Sequence, residues 1–355
     1  MFKGSCKKRI IFSIIIPLYN KEKFISKTLQ SVLSQLDIFE LIIINDSSTD
    51  NSLKICKKFK KKNKLIKIIN PKRKLYVSEA RNLGIKKSSG EYLIFLDADD
   101  IIGKNFLKNL NNIIKNNKYD LIINDLGDLR KGKSYSFKNN FIKKLILSKF
   151  VGYCWRNIYR RNFLNKNNIY FKKNILVCED EEFVSRCFLK SRKIHFLDKN
   201  YYHKTSEPKS LSHVNLGQNF YGLDLENFLK SYLNVLISLS RNLKKIKNNK
   251  PLKFYFQNRI KLMLNKIYPL IMLSDDIQLK NQAFVIDAIA GSSDGKNTIK
   301  NSKEIDEHNF VIKHINQQMN NIPSLVNNIE QNIETYGNTN RTNYIPMEQN
   351  QMRYL

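Results

Sequence analysis

The first 125 residues alternate between short apolar runs and helical patterns. Residues 10–16 are continuous and β-branched, which reads as a strand buried on both faces. Over 22–35, Phe24, Ile25, Leu29, Val32 and Leu33 recur at helical spacing. Residues 39–44 form a second strand pattern. Ser48 or Thr49 then stands where a cap is wanted for a helix carrying Leu53, Ile55, Cys56 and Phe59. Further strands are predicted over 65–69, 92–96 and 120–124, with helices over 77–87 and 106–114 between them. This alternation predicts an α/β fold, a mostly parallel sheet with helices on both faces.

After residue 125 the rhythm breaks. Residues 131–136 read as a polar loop, 141–150 and 180–190 as helices, and 194–197 as a short strand. From 219 to about 273 long helical patterns return, with Lys and Arg spread among Leu, Ile, Phe and Tyr. Two readings fit these helices: an amphipathic face on an anionic membrane, or the solvated face of a packed helical pair. Near Gly291 the composition changes. Residues 291–355 hold six Lys and Arg against seven Asp and Glu, are rich in Asn and Gln, and end in a stretch that reads as disordered.

The chain carries a net charge of +31, and the near-neutral tail places that excess upstream. Such a surface suits a polyanionic partner: nucleic acid, an anionic membrane or a phosphorylated substrate. Abundant Lys, Asn and Ile also fit a compositional bias of the kind an AT-rich genome produces. The five cysteines form no C-x-x-C pair, which favours a reducing compartment over a zinc site or disulfide framework. The basic N-terminus and the apolar run after it lack a small-residue cleavage site, and no stretch reaches the ~18 apolar residues of a membrane span. The expected location is the cytoplasm, with room for peripheral contact at the cytoplasmic face of a membrane.

The densest chemistry follows the strand at 92–96, where Asp97-Ala98-Asp99-Asp100 puts three carboxylates within four residues. If the strand continued, Asp97 and Asp99 would share a face. Paired hard oxygen ligands at a strand's carboxyl end suit Mg²⁺ or Mn²⁺ holding a diphosphate. The plainer reading is a polar loop capping the helix that begins near Gly103.

Four segments in order, Ile14-Ile15-Ile16-Pro17-Leu18-Tyr19-Asn20, Asn45-Asp46-Ser47-Ser48-Thr49-Asp50, Ala80-Arg81-Asn82-Leu83-Gly84 and Phe95-Leu96-Asp97-Ala98-Asp99-Asp100, resemble the family 2 glycosyltransferases of the GT-A fold. Weaker likeness continues through Trp155, Tyr159-Arg160-Arg161, Glu179-Asp180 and Tyr202-His203, so that it covers roughly residues 9 to 215. The resemblance implies inverting transfer from a nucleotide-diphosphate sugar, with uridine as the expected nucleoside, to a glycan or glycolipid acceptor. It implies donor contacts from Pro17, Tyr19, Asp46, Arg81, Asp97 and Ala98, and a metal on Asp99 with help from His203. It makes Asp180 the catalytic base, and places Trp155 and Glu179 beside the acceptor. It also sets the domain expectation: a catalytic domain over 1–215, with donor and acceptor halves of about 9–125 and 126–215. A basic helical extension over 216–290 and the tail over 291–355 follow. Asn45 departs from the usual Asp, and Lys74-Leu75-Tyr76-Val77-Ser78 lacks the usual glycine, so that Tyr76 narrows the cleft. The rivals are a basic nucleic-acid-binding protein, for which no binding motif is present, and a degenerate scaffold, against which Asp46, Asp97, Asp99 and Asp180 all stand intact. No nucleic-acid partner is expected.

Overall fold

The structure is a computed structural model. It describes residues 10–36, 38–124, 134–136, 152–197, 200–205, 224–273 and 276–291. The helix expected over 141–150 and the tail after Gly291 lie outside these residues.

Strands β1 (Phe12–Leu18), β2 (Phe39–Asn45), β3 (Ile66–Ile69) and β4 (Tyr92–Phe95) run parallel in the order 3-2-1-4. Helices α1 (Ile25–Leu33), α2 (Ser52–Lys62) and α3 (Tyr76–Lys87) connect them. Alternation along the strands gives the sheet two apolar faces. Ile14, Ile16, Ile94 and Leu96 pack with α1, with Cys56 of α2 and with α4 (Phe106–Lys115). Ile15, Leu93 and Phe95 lie on the opposite face. There α3 approaches β1 closely: a Cβ on Gly84 would sit 2.3 Å from Ile15 Cγ2. Only glycine admits that contact, and it brings the preceding turn of α3, with Arg81, over the strand ends.

The second half adds a feature that local patterns do not announce. β8 (Asn157–Arg160) inserts antiparallel between β4 and β6 (Leu121–Ile123). β9 (Lys193–Phe196) runs parallel to β6, and β7 (Ser134–Ser136) closes the edge antiparallel to β9. Ser134 to Ser136 is therefore an edge strand and not the expected loop; its backbone finds partners on β9 despite polar side chains. A two-stranded ribbon pairs β5 (Ile101–Ile102) with β10 (Tyr202–His203).

α5 (Arg161–Lys166) follows β8, and α6 (Glu179–Lys190) leads into β9. α7 (Leu225–Lys244), α8 (Lys250–Leu273) and α9 (Ile277–Gly291) join α6 in one apolar core through Phe228, Leu236, Phe256, Ile260 and Ala283, with Phe183 and Phe188 opposite. Two buried carboxylates of α6 fasten this union. Arg259 Nε and Nη2 donate to the two oxygens of Glu181 at 2.9 Å each, and Ser238 Oγ donates to Glu182 Oε1 at 2.7 Å. Over 225–273 most of the described apolar positions are buried within the protein, while Phe254 and Leu262 stay exposed. Among the described residues no helix is long and apolar enough to cross a membrane.

Candidate active site

β4 stops at Phe95, so Asp97 to Asp100 form a turn and strand alternation does not orient them. The turn is held from two sides. Thr28 Oγ1 of α1 donates to Ala98 O at 3.0 Å. From β10, Tyr202 Oη accepts from Asp97 N at 3.2 Å and donates to Asp100 Oδ2 at 2.7 Å, while Thr205 N donates to Asp100 Oδ1 and Thr205 Oγ1 to Asp99 O. Asp100 is buried and faces inward as an anchor. Burial, with Asp97 and Asp99 adding, pushes its carboxyl up to about 6 against the hydrogen bonds from Tyr202 and Thr205. Asp97 and Asp99 are left toward the cleft, each with a different cation.

Arg81 is the hub. Its side chain is 5% exposed; Nη1 donates to Glu179 Oε1 and Asp180 Oδ1 at 2.8 Å each, and Nη2 to Asp97 Oδ1 at 3.2 Å. One guanidinium thus ties the Asp97–Asp100 turn to the first turn of α6. Asp180 Oδ2 also accepts from Cys154 N at 3.1 Å. Cys178, at φ 56°, precedes the helix without a side-chain cap bond, so neither Glu179 nor Asp180 serves as the N-cap. Burial, then the neighbouring Asp180 charge, pushes the Glu179 carboxyl up to about 7 against Arg81. Desolvation, then Asp180 and Asp99, raises Asp97 likewise, again opposed by Arg81.

The Glu179 shift has a measurable consequence. Its folded-state pKa lies above the ordinary 4.5, so this group's stabilisation is complete below that value and fades as pH rises through about 7. Glu179→Gln should flatten that dependence. Between about pH 5 and pH 8 the metal-free wild type should lose on the order of 1–3 kcal/mol relative to the variant. Denaturant curves that run parallel across this range would remove the shift.

At the other end of the cleft, Asp46 closes β2 and accepts from Leu75 N and from Tyr76 N, the latter at 2.9 Å. It thereby fixes the entry to α3, where Tyr76 adopts φ 60° and stands 59% exposed. Lys74 Nζ lies 4.4 Å over the Tyr19 ring and 5.4 Å over the Tyr76 ring, so Tyr19 and Tyr76 flank the cleft mouth. Pro17 pairs with Ile44 next to that end of β1. Asn45 Nδ2 donates to Asn70 Oδ1 at 2.9 Å, a bond that the usual Asp could not donate. Ser48 and Thr49 do not cap α2. Their hydroxyls accept from Asn20 N and Nδ2, while Asp50 Oδ1 accepts from Ser52 N in the first turn of the helix.

Trp155 is half-buried between Tyr153 and Tyr202, with ring centroids at 5.3 and 4.3 Å. Arg156 and Lys204 lie over this column. It leads outward from the very Tyr202 that anchors Asp97. His203 is exposed, pairs with Ile101 and lies beside Gly103; no three-ligand group of His, Cys, Asp or Glu forms among the described residues.

Lys21 gives no signal in the sequence pattern, yet its Nζ lies 2.8 Å from Asp99 Oδ2. Asp97, Asp99, Glu179 and Asp180 thus gather around two side-chain cations, Lys21 and Arg81. A diphosphate would add further negative charge to a site already short of positive charge. A divalent cation fits that imbalance, and Asp97 and Asp99 offer the hard oxygens that Mg²⁺ or Mn²⁺ takes together with substrate phosphates.

Comparison with known proteins bears on the family and the fold. The sequence model described as Glycosyl transferase family 2 matches residues 13–176. The chain is 29% identical over 219 residues to the uncharacterized glycosyltransferase EpsJ of Bacillus subtilis (strain 168), covering 58% of this chain and 63% of EpsJ. It is 33% identical over 202 residues to the poly(ribitol-phosphate) beta-N-acetylglucosaminyltransferase TarS of Staphylococcus aureus (strain MW2), covering 55% of this chain and 35% of TarS. The chain thus spans under two thirds of either relative. The crystal structure of S. aureus TarS 1-349 in complex with UDP-GlcNAc superposes with a TM-score of 0.58 at 22% identity, covering 78% of this chain and 79% of that one. The mannosyltransferase PcManGT from Pyrobaculum calidifontis, in complex with GDP-Man and Mn²⁺, gives 0.51 at 13% identity, covering 81% and 82%. Residues 13–176 are a family 2 glycosyltransferase domain, and the fold around them is GT-A.

Proposed function

We propose that this protein transfers a sugar from a UDP-sugar to a hydroxyl of a cell-surface glycan, with inversion and with a divalent cation on Asp99. The observation that carries the reading is the Arg81 bridge, which joins Asp97 on the donor side to Glu179 and Asp180 on the opposite side. An in-line displacement needs those two sides face to face. Tyr19 and Asp46 shape the base end, and Asp97 and Ala98 line the path to the diphosphate. Asp180 takes the acceptor proton, while Glu179 and Trp155 border the acceptor. A bound cation, with His203 near it, would neutralise the charge that develops on the leaving diphosphate. Arg81 acts indirectly, since both of its terminal nitrogens donate to carboxylates.

The acceptor side favours an anionic glycan. TarS is named for poly(ribitol-phosphate), and a chain of net charge +31 attracts such polymers as well as the anionic cytoplasmic face of a membrane. A panel of nucleotide-sugars, scored for hydrolysis with Mn²⁺ and with EDTA, tests the activity; no turnover of any member would sink it. Calorimetry tests the cation. UDP should bind at least about tenfold more tightly with Mn²⁺ than with EDTA, and Asp99→Ala should remove the difference. Equal affinities in the wild type would exclude the cation's role.

A further inference from the structure

The Lys21–Asp99 pair has a role to fill if the proposed cation site is correct, and this inference rests on that reading. The backbone of Lys21 is fixed on both sides. Lys21 N donates to Ser52 Oγ at 2.7 Å, Asn20 Oδ1 accepts from Thr49 N at 2.8 Å, and Glu22 N donates to Asp50 Oδ2 at 3.0 Å. Asn20 turns the chain at φ 49°, directly after Tyr19 at the base end of the cleft. From this stapled turn the side chain reaches across to Asp99, with 25% of it exposed against 16% for its partner. The anchored backbone and the flexible four-carbon stem leave one freedom, the position of the ammonium.

We propose that Lys21 couples nucleotide binding to cation binding by exchanging Asp99 for the diphosphate. With the cleft empty, Lys21 neutralises Asp99 and opposes any divalent cation there. An incoming diphosphate offers the ammonium a more highly charged partner within reach of the same stem. Lys21 then releases Asp99 Oδ2, and that oxygen becomes available to a cation. By linkage the effect is reciprocal: the nucleotide tightens the cation, and the cation tightens the nucleotide by the same factor.

The test is Mn²⁺ binding read from the free-ion EPR signal, on the full chain, with and without UDP. The chelation by UDP itself is subtracted from a protein-free titration. Without UDP, Lys21→Met should bind Mn²⁺ about 5- to 50-fold more tightly than wild type, within the usual range of coupling between sites. UDP should tighten Mn²⁺ at least roughly tenfold in the wild type and much less in the variant. Lys21→Gln, which keeps a polar stem without the charge, should behave as Lys21→Met does and serves if the latter does not fold. Mn²⁺ affinity in both variants no tighter than wild type would overturn the coupling role. Failure of the wild type to bind Mn²⁺ even with UDP, with Asp99→Asn unchanged from it, would instead overturn the cation site itself, and the coupling with it.

Discussion

Asp180→Asn should lower kcat by on the order of 10²–10⁴ and leave UDP affinity within about threefold. The acceptor hydroxyl must lose its proton as it attacks, and an amide cannot take it. The structure adds a structural cost. Asp180 accepts from Arg81 through one oxygen and from Cys154 N through the other. Asn keeps one acceptor and turns an N–H donor toward the second contact, which should cost about 1–3 kcal/mol of stability. Turnover must therefore be normalised to folded protein, with the melting temperature recorded alongside. Glu179 is the competing candidate for the base. It shares the Arg81 bridge, and its pKa of about 7 lies near the optimum for proton transfer at neutral pH. If Asp180→Asn stays within a factor of a few of wild type while Glu179→Gln loses orders of magnitude, the base is Glu179. Asp46→Ala should act at the far end of the cleft: it frees the Leu75 and Tyr76 amides and should weaken donor binding more than turnover at saturating donor.

The parallel half was legible because each of its elements carries its own period, and three of the four motifs fall at a strand end while the other lies within α3. Phe12–Leu18, Phe39–Asn45 and Tyr92–Phe95 lie within a residue or two of the runs that announce them. β8 was not legible. Its pairing with β4 and β6 depends on residues dozens of positions away, and Asn157–Arg160 has little alternation of its own. The same limit holds in the site. The family resemblance placed Arg81 at the cleft, but nothing local showed its division among carboxylates 16, 98 and 99 residues away. Strand alternation would set Asp97 and Asp99 side by side; the turn sends them to Arg81 and Lys21 instead. Glu179 to Glu182 read as four similar acids in one turn. Tertiary contacts give them different tasks: Glu181 and Glu182 anchor α8 and α7, and Glu179 and Asp180 meet Arg81.

Arg81→Met should be among the most damaging single changes in the chain, and its damage should depend on pH. Removing one partner of a buried charge group leaves the others uncompensated, which typically costs about 3–5 kcal/mol. Here one guanidinium serves Asp97, Glu179 and Asp180, so the carboxylates are left facing one another. Arg81 is the group that pulls the Glu179 and Asp97 carboxyls down against burial. Without it both rise further, and the folded variant takes up protons at a higher pH than the wild type does. The deficit should then be full near about pH 8 and shrink toward about pH 5, as protonation removes the unpaired charge. Arg81→Lys should not rescue, because an ammonium lacks the planar fork that reaches three acceptors at once. Glu179→Gln placed on Arg81→Met removes one of the stranded charges and should recover part of the stability lost at about pH 8. Urea denaturation of the four proteins at both pH values reads all of this. A deficit equal at the two pH values would mean that Arg81 contributes packing over Phe171, 5.3 Å below its guanidinium, and not the charge balance of the site.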